Sequence, residues 1–313
     1  MVGFRGVVVA LVTPFRRDGS VDLDGFRSVV SGVVEAGVEG LWVSGTTGEW
    51  PLLGVEERVR LFQAAVEASK GRARVFAGVQ AVRVDDALAL ARGARDVGVD
   101  YVFATPPLYF KPSMSGLVRY YSRIAGAADL PVFIYNIPSH VGYGLDPGVI
   151  SQLAMDTPGI AGVKATVRDY TVVGDLVAVK EGRRDFTVLS GTEELLVHTL
   201  LAGGDGAVSA TGNIVPGLLA AAWRAWEEGD LEGLSGLVRD MIKVRRITAG
   251  TGLPMPVAVK SLLARMEVPV EPYSRPPLDD VADVSHHAML LCKGFREYLN
   301  PAARCRGGEG SYT

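Results

Sequence analysis

The sequence predicts an α/β fold: a (β/α)8 TIM barrel with a C-terminal helical extension. Three observations carry this. Short β-branched runs alternate with longer amphipathic stretches, repeating at roughly 25–30 residues, the length of a βα unit. The runs are mostly unbroken apolar segments, as parallel strands covered on both faces require. Eight such units follow one another without the interruption that would mark the switch point of an open doubly wound sheet. A chain of 313 residues suits one barrel, and 48% hydrophobic against 21% charged residues supplies a large core.

Taken in order, strands are expected at 6–12, 40–43, 75–78, 101–104, 132–135, 160–164, 187–190 and 206–209. Asp22 opens the first helix and Gly37 follows its end. A helix over 85–97 stops before Gly98, and Asp146 then Pro147 begin another in the favoured cap-then-proline order. The eight units end near Glu228. Beyond it the pattern is helical only, over 231–247, 256–266 and 278–298. The chain therefore divides into a barrel at 1–228, an extension at 229–300 and a Gly-rich polar tail at 301–313 that frays.

Composition narrows the function classes. A formal net charge of −3 gives no basic surface for nucleic acid or anionic membranes. The apolar N-terminal stretch is too short to span a membrane and lacks a small-residue cleavage site, so it reads as a strand. Cys292 and Cys305 suggest neither a disulfide framework nor metal-ligand spacing, which fits a reducing cytoplasmic setting. His140, His198, His286 and His287 fall in different elements, which argues against a catalytic metal.

In a barrel the chemistry sits at the C-terminal ends of the strands. Lysine is scarce, and only Lys164 ends a strand, after an apolar run. A lysine desolvated in a barrel mouth has a lowered pKa and becomes a nucleophilic amine; a buried ion pair is the equal alternative. After the second strand, Ser44, Gly45, Thr46, Thr47, Gly48 and Glu49 form a turn with hydroxyls and N–H groups suited to a carboxylate, or merely a capped turn. Tyr135 ends the fifth strand as a proton relay or a rim aromatic, and the loop from Thr105 to Phe110 projects Tyr109. The small hydroxyl and glycine residues after the last two strands, including Gly191, would hold phosphate or, preferably, give a polar substrate tail room.

Together, GTTGE at 45–49, TPP-x-YF at 105–110, YNIP at 135–138, GVKAT at 162–166, SGTEE at 190–194 and GGDGAVS at 203–209 resemble the dihydrodipicolinate synthase / N-acetylneuraminate lyase family of class I aldolases. The resemblance implies that Lys164 forms a Schiff base, that Tyr135 shuttles protons and that Thr46 joins the relay. It implies that Thr47 and neighbouring N–H groups, including that of Gly48, hold the keto-acid carboxylate. Gly191 and Val208 would line the pocket, and Tyr109 would reach across a subunit contact within a homotetramer built as a dimer of dimers. The substrates would be pyruvate and an aldehyde, with no cofactor.

One departure bears on the substrate. In dihydrodipicolinate synthases an arginine usually follows the YN-x-P-S stretch; here His140 stands there, and a neutral imidazole cannot make the bidentate fork. The sequence therefore leans towards a 2-keto-3-deoxy sugar acid aldolase, such as one for 2-keto-3-deoxygluconate. A dihydrodipicolinate synthase, a Schiff-base dehydratase and a non-catalytic ligand-binding barrel are the alternatives.

Overall fold

Eight parallel strands close on themselves in sequence order: β1 Gly6–Ala10, β2 Gly40–Val43, β3 Arg74–Gly78, β4 Tyr101–Ala104, β5 Val132–Asn136, β6 Ile160–Ala165, β7 Thr187–Ser190 and β8 Gly206–Ser209. The structure is a computed structural model that describes residues 3–278 and 282–305. Helices α1 Leu23–Glu35, α2 Val55–Ser69, α3 Val84–Asp96, α4 Met114–Ala128, α5 Pro138–Val141, α6 Pro147–Asp156, α7 Tyr170–Val177, α8 Leu196–Leu201 and α9 Pro216–Glu227 connect the strands and follow the last. Three more, α10 Leu231–Ala249, α11 Met255–Arg265 and α12 Ser285–Phe295, form the extension. Among the described residues no helix is long and apolar enough to cross a membrane.

Strand alternation produces two cores. One face packs against the helices, with Val7, Val9, Ile134 and Val163 among its buried residues. The other fills the barrel, where Phe4, Trp42, Phe76, Phe103, Phe133 and Tyr135 cluster with Val8, Leu189 and Val208. Ring centroids such as Phe76–Phe103 at 5.2 Å and Trp42–Tyr135 at 4.8 Å make this a packed plug. Each pair adds about 0.5–1.5 kcal/mol beyond its area burial.

The sequence expectations need three corrections. β1 ends at Ala10 because the Val12 N–H leaves the ladder for Asn213 Oδ1 at 3.1 Å. The last helix begins only at Ser285, whose N–H is taken by Asp283 Oδ1 at 2.8 Å. The cysteines do pair: Cys292 and Cys305 form a disulfide with Cα atoms 5.8 Å apart. The chain reverses after α12 and Arg304 N–H reaches Met266 O at 2.7 Å, which carries Cys305 back to the helix. Residues 301–305 are thus anchored rather than frayed, while 306–313 lie outside the described residues.

One irregularity positions the chemistry. β5 and β6 pair Val132 with Ile160, but then Phe133 with Gly162, so Ala161 is an extra residue. A β-bulge of this kind reverses which face every later side chain occupies. Without it Val163 would stand level with Tyr135, facing inward. With it Tyr135 pairs with Lys164, and both enter the barrel. Gly162 makes room: a Cβ there would lie 2.6 Å from the Phe133 ring.

Candidate active site

Lys164 and Tyr135 are buried, at 4% and 2% exposure, on the floor of a cavity of about 710 Å³. Lys164 Nζ donates to Thr166 Oγ1 at 2.9 Å. It also lies 3.9 Å from the Tyr135 ring centroid and 4.8 Å from that of Trp42. Among the described residues no carboxylate forms a salt bridge with it, which removes the buried-ion-pair reading. Burial pushes its pKa well below the ordinary lysine value, and the nearby Glu193 carboxylate opposes this only in part. Burial therefore favours the neutral amine, the form of a lysine that can act as a nucleophile.

Tyr135 hydroxyl and Thr46 Oγ1 stand 3.1 Å apart. Burial pushes the phenol up to about 12, while hydrogen bonds from Thr46 and Thr166 pull the other way. Tyr135 is therefore protonated at neutral pH and linked to Thr46, the arrangement a relay needs. Thr166 thus bonds to both Lys164 and Tyr135.

The cavity brings together most residues singled out from the sequence. Lys164, Tyr135, Thr46, Thr47, His140, Gly191 and Val208 all line it. Gly48 lies behind Thr47, with its carbonyl accepting from Thr13 Oγ1 at 2.7 Å. Tyr109 does not join them; it is 86% exposed, with φ 71°, beside the equally projecting Phe110. Trp50 turns from the cavity towards Arg58, whose guanidinium sits 5.5 Å from its ring, and leaves the wall to Pro51 and Leu52. Burial lowers the His140 pKa, and any charge on Lys164 acts in the same direction, so the neutral imidazole is favoured.

The distal wall contains residues with no assigned role in the sequence reading. Buried Glu193 accepts from Thr211 Oγ1 at 2.8 Å. Arg245, from α10, reaches over the mouth and contacts Glu194 at 2.8 Å and Glu193 at 3.8 Å. Pro254, Met255 and Pro256, at the start of α11, complete this side. The extension is therefore part of the cavity as well as packing on the barrel. The hydroxyls after β8 bond one another and Glu193, with Ser209 Oγ and Thr211 Oγ1 3.1 Å apart, so they do not form an open phosphate cup.

Comparison with known proteins agrees with this geometry. The model of the dihydrodipicolinate synthetase family matches residues 3–290. The chain is 33% identical to a probable 2-dehydro-3-deoxy-D-pentonate aldolase of Escherichia coli, covering 94% of this chain and 99% of that protein. It is 35% identical to a 4-hydroxy-tetrahydrodipicolinate synthase of Methanopyrus kandleri, covering 90% and 93%. It superposes with a TM-score of 0.87 on the E. coli prophage protein YagE in complex with pyruvate, at 29% identity over 93% of this chain and 98% of that one. The chain belongs to the dihydrodipicolinate synthetase family, the class I, Schiff-base-forming carbon–carbon lyases.

Proposed function

We propose that this enzyme cleaves 2-keto-3-deoxy sugar acids, such as 2-keto-3-deoxygluconate, to pyruvate and a neutral hydroxyaldehyde. The observation that carries the substrate choice is the charge of the distal wall. Its cation, Arg245, already faces two carboxylates, Glu193 and Glu194, and His140 favours its neutral form. The wall therefore offers Glu193 as an acceptor for sugar hydroxyls, and its one arginine is already engaged by Glu194. A phosphate or a second carboxylate would have to compete with Glu194 for Arg245. The similarity to a probable pentonate aldolase supports the same reading, and that to a pyruvate-bound relative supports pyruvate as its product.

In this mechanism Thr47 and the Gly48 N–H hold the substrate carboxylate, and Gly191 and Val208 shape the pocket. Lys164 attacks the C2 ketone, the carbinolamine hydroxyl takes up one proton from solvent and leaves as water, and a protonated imine forms. The C4 hydroxyl proton passes to the Tyr135 oxygen as Tyr135 hands its own proton to Thr46, and Thr46 releases its hydroxyl proton towards solvent. The C3–C4 bond breaks, its electron pair moves towards the imine nitrogen, and the aldehyde departs. The resulting enamine takes a proton at C3, and water then releases pyruvate and free Lys164. The developing charge is held by the imine nitrogen, so no cofactor enters these steps. The exposed Tyr109 and Phe110 belong to a subunit contact of a homotetramer in this proposal, and light scattering tests that assembly. Fractionation of source cells tests the cytosolic setting that goes with it.

The substrate test compares pyruvate release from 2-keto-3-deoxygluconate and its 6-phosphate, beside condensation of pyruvate with aspartate semialdehyde. The unphosphorylated acid should have the higher kcat/KM by about tenfold or more, the scale of a penalty above 1.4 kcal/mol for an anion with no free cation to meet it. Preference for the phosphate, or activity in the condensation alone, overturns the substrate reading.

A further inference from the structure

The turn from Ser44 to Glu49 is held at both ends by buried cations. Its two end residues are non-glycine residues in the left-handed region, Ser44 at φ 59° and Glu49 at φ 56°. Such a backbone persists only where surrounding contacts over-determine it. At the first end, Arg58 Nε donates to Ser44 Oγ at 2.7 Å, and its other nitrogens reach Gln80 O at 2.9 Å and Gly78 O at 2.6 Å. Gln80 Nε2 donates to Ser44 O at 2.7 Å.

At the other end the anchor comes from a distant part of the chain. Lys260, on α11, places Nζ 2.5 Å from Glu49 Oε1, and neither side chain has any exposed surface. Lys260 also donates to Thr13 O at 3.2 Å, and Thr13 in turn donates to the Gly48 carbonyl. Thr46 and Thr47 lie between these anchors. The stretch of α11 around Lys260, from Val257 to Leu263, is buried throughout, so the lysine has no route to solvent.

The geometry points to Lys260 and Glu49 as positioning residues for the carboxylate-holding turn. The extension would thereby set affinity for keto acids from behind the site. This rests on the reading that Thr47 and Gly48 receive the substrate carboxylate. A pair that only glued α11 to the barrel would affect all carbonyl compounds alike. A pair that positions the turn would matter only for compounds carrying a carboxylate.

The test measures borohydride-trapped adducts on Lys164 by intact mass, using pyruvate and acetone, which is the same methyl ketone without the carboxylate. Wild type is compared with Lys260→Met, Glu49→Gln and the double variant Glu49→Gln/Lys260→Met. The double variant removes both charges at near-constant volume, so it carries the test if a single variant fails to fold. The trapping rate with pyruvate should fall about tenfold or more, as misplacement of a binding group does, while the rate with acetone stays at the wild-type value. Equal falls with both ketones, or no fall with either, overturn the inference alone. Absence of any adduct on the wild type overturns the Schiff-base reading and the inference with it.

Discussion

Replacing Thr166 with valine isolates the hydrogen bond to the amine proposed as the nucleophile. Thr166 Oγ1 accepts from Lys164 Nζ at 2.9 Å, and valine keeps the shape while removing the acceptor. The bond favours the charged ammonium, so losing it lowers a pKa that burial has already depressed. A hydrogen bond to a charged group is worth about 1.5–3 kcal/mol, and one pKa unit is 1.36 kcal/mol, so the further fall is about one to two units. Only the neutral amine attacks the ketone. The acid limb of the rate against pH should therefore move to lower pH by that amount. The plateau should drop by up to about 100-fold, because the amine loses its orientation. The assay is borohydride trapping with pyruvate from pH 4 to 9, with Thr166→Ser as the variant that keeps the oxygen. A limb that stays in place, or moves to higher pH, refutes the assignment of Thr166 as acceptor for the Lys164 ammonium.

Three further outcomes are expected. Burial raises the Glu39 carboxyl from 4.5 to about 7, with Glu227 adding to the effect, while its oxygen accepts the Val7 N–H at 2.9 Å. Between pH 4.5 and 7 the unfolded chain ionises first, so the folded state binds more protons and stability falls as pH rises, by up to about 3 kcal/mol. Glu39→Gln should flatten that slope and raise Tm at pH 8; melting curves that run parallel to wild type would contradict the shift. Gly191→Ala would place a Cβ onto Thr166 Oγ1 and 2.8 Å from Thr166 Cα. Urea melts should show a loss of about 1–3 kcal/mol, with slower Lys164 trapping, and normal trapping would show that Thr166 can move without consequence. The disulfide joins residues 13 apart, so Cys292→Ser should cost about 3 kcal/mol in the chain-entropy model. Calorimetry with and without reductant checks this, and an unchanged Tm in both conditions would refute it.

What the sequence made legible, and what it hid, separates along one physical line. Periodicity reports the face on which a residue lies, and loop chemistry reports where the chain turns. Those two signals suffice for eight strands, for the strand-end location of Lys164, and for the clustering of Thr46, Thr47 and Tyr135 at one mouth. They do not report which residue of a distant element comes to meet them. The bulge at Ala161 has no composition of its own, yet it decides that Lys164 points inward. Arg245 sits on an amphipathic helix and reads as a solvated charge until α10 is laid beside the residues after β7. Cys305 belongs to a polar tail whose return path depends on contacts with Met266. Lys260 is the instructive case, because a signal was present. Its neighbours Val257, Ala258, Val259, Leu262 and Leu263 are apolar on every side, and a helix of that kind is buried all round. A lysine inside it must be buried, and a buried ammonium needs a partner. That argument requires an acid somewhere in the core. The GTTGE motif offered one in Glu49, and only the fold could bring the two together.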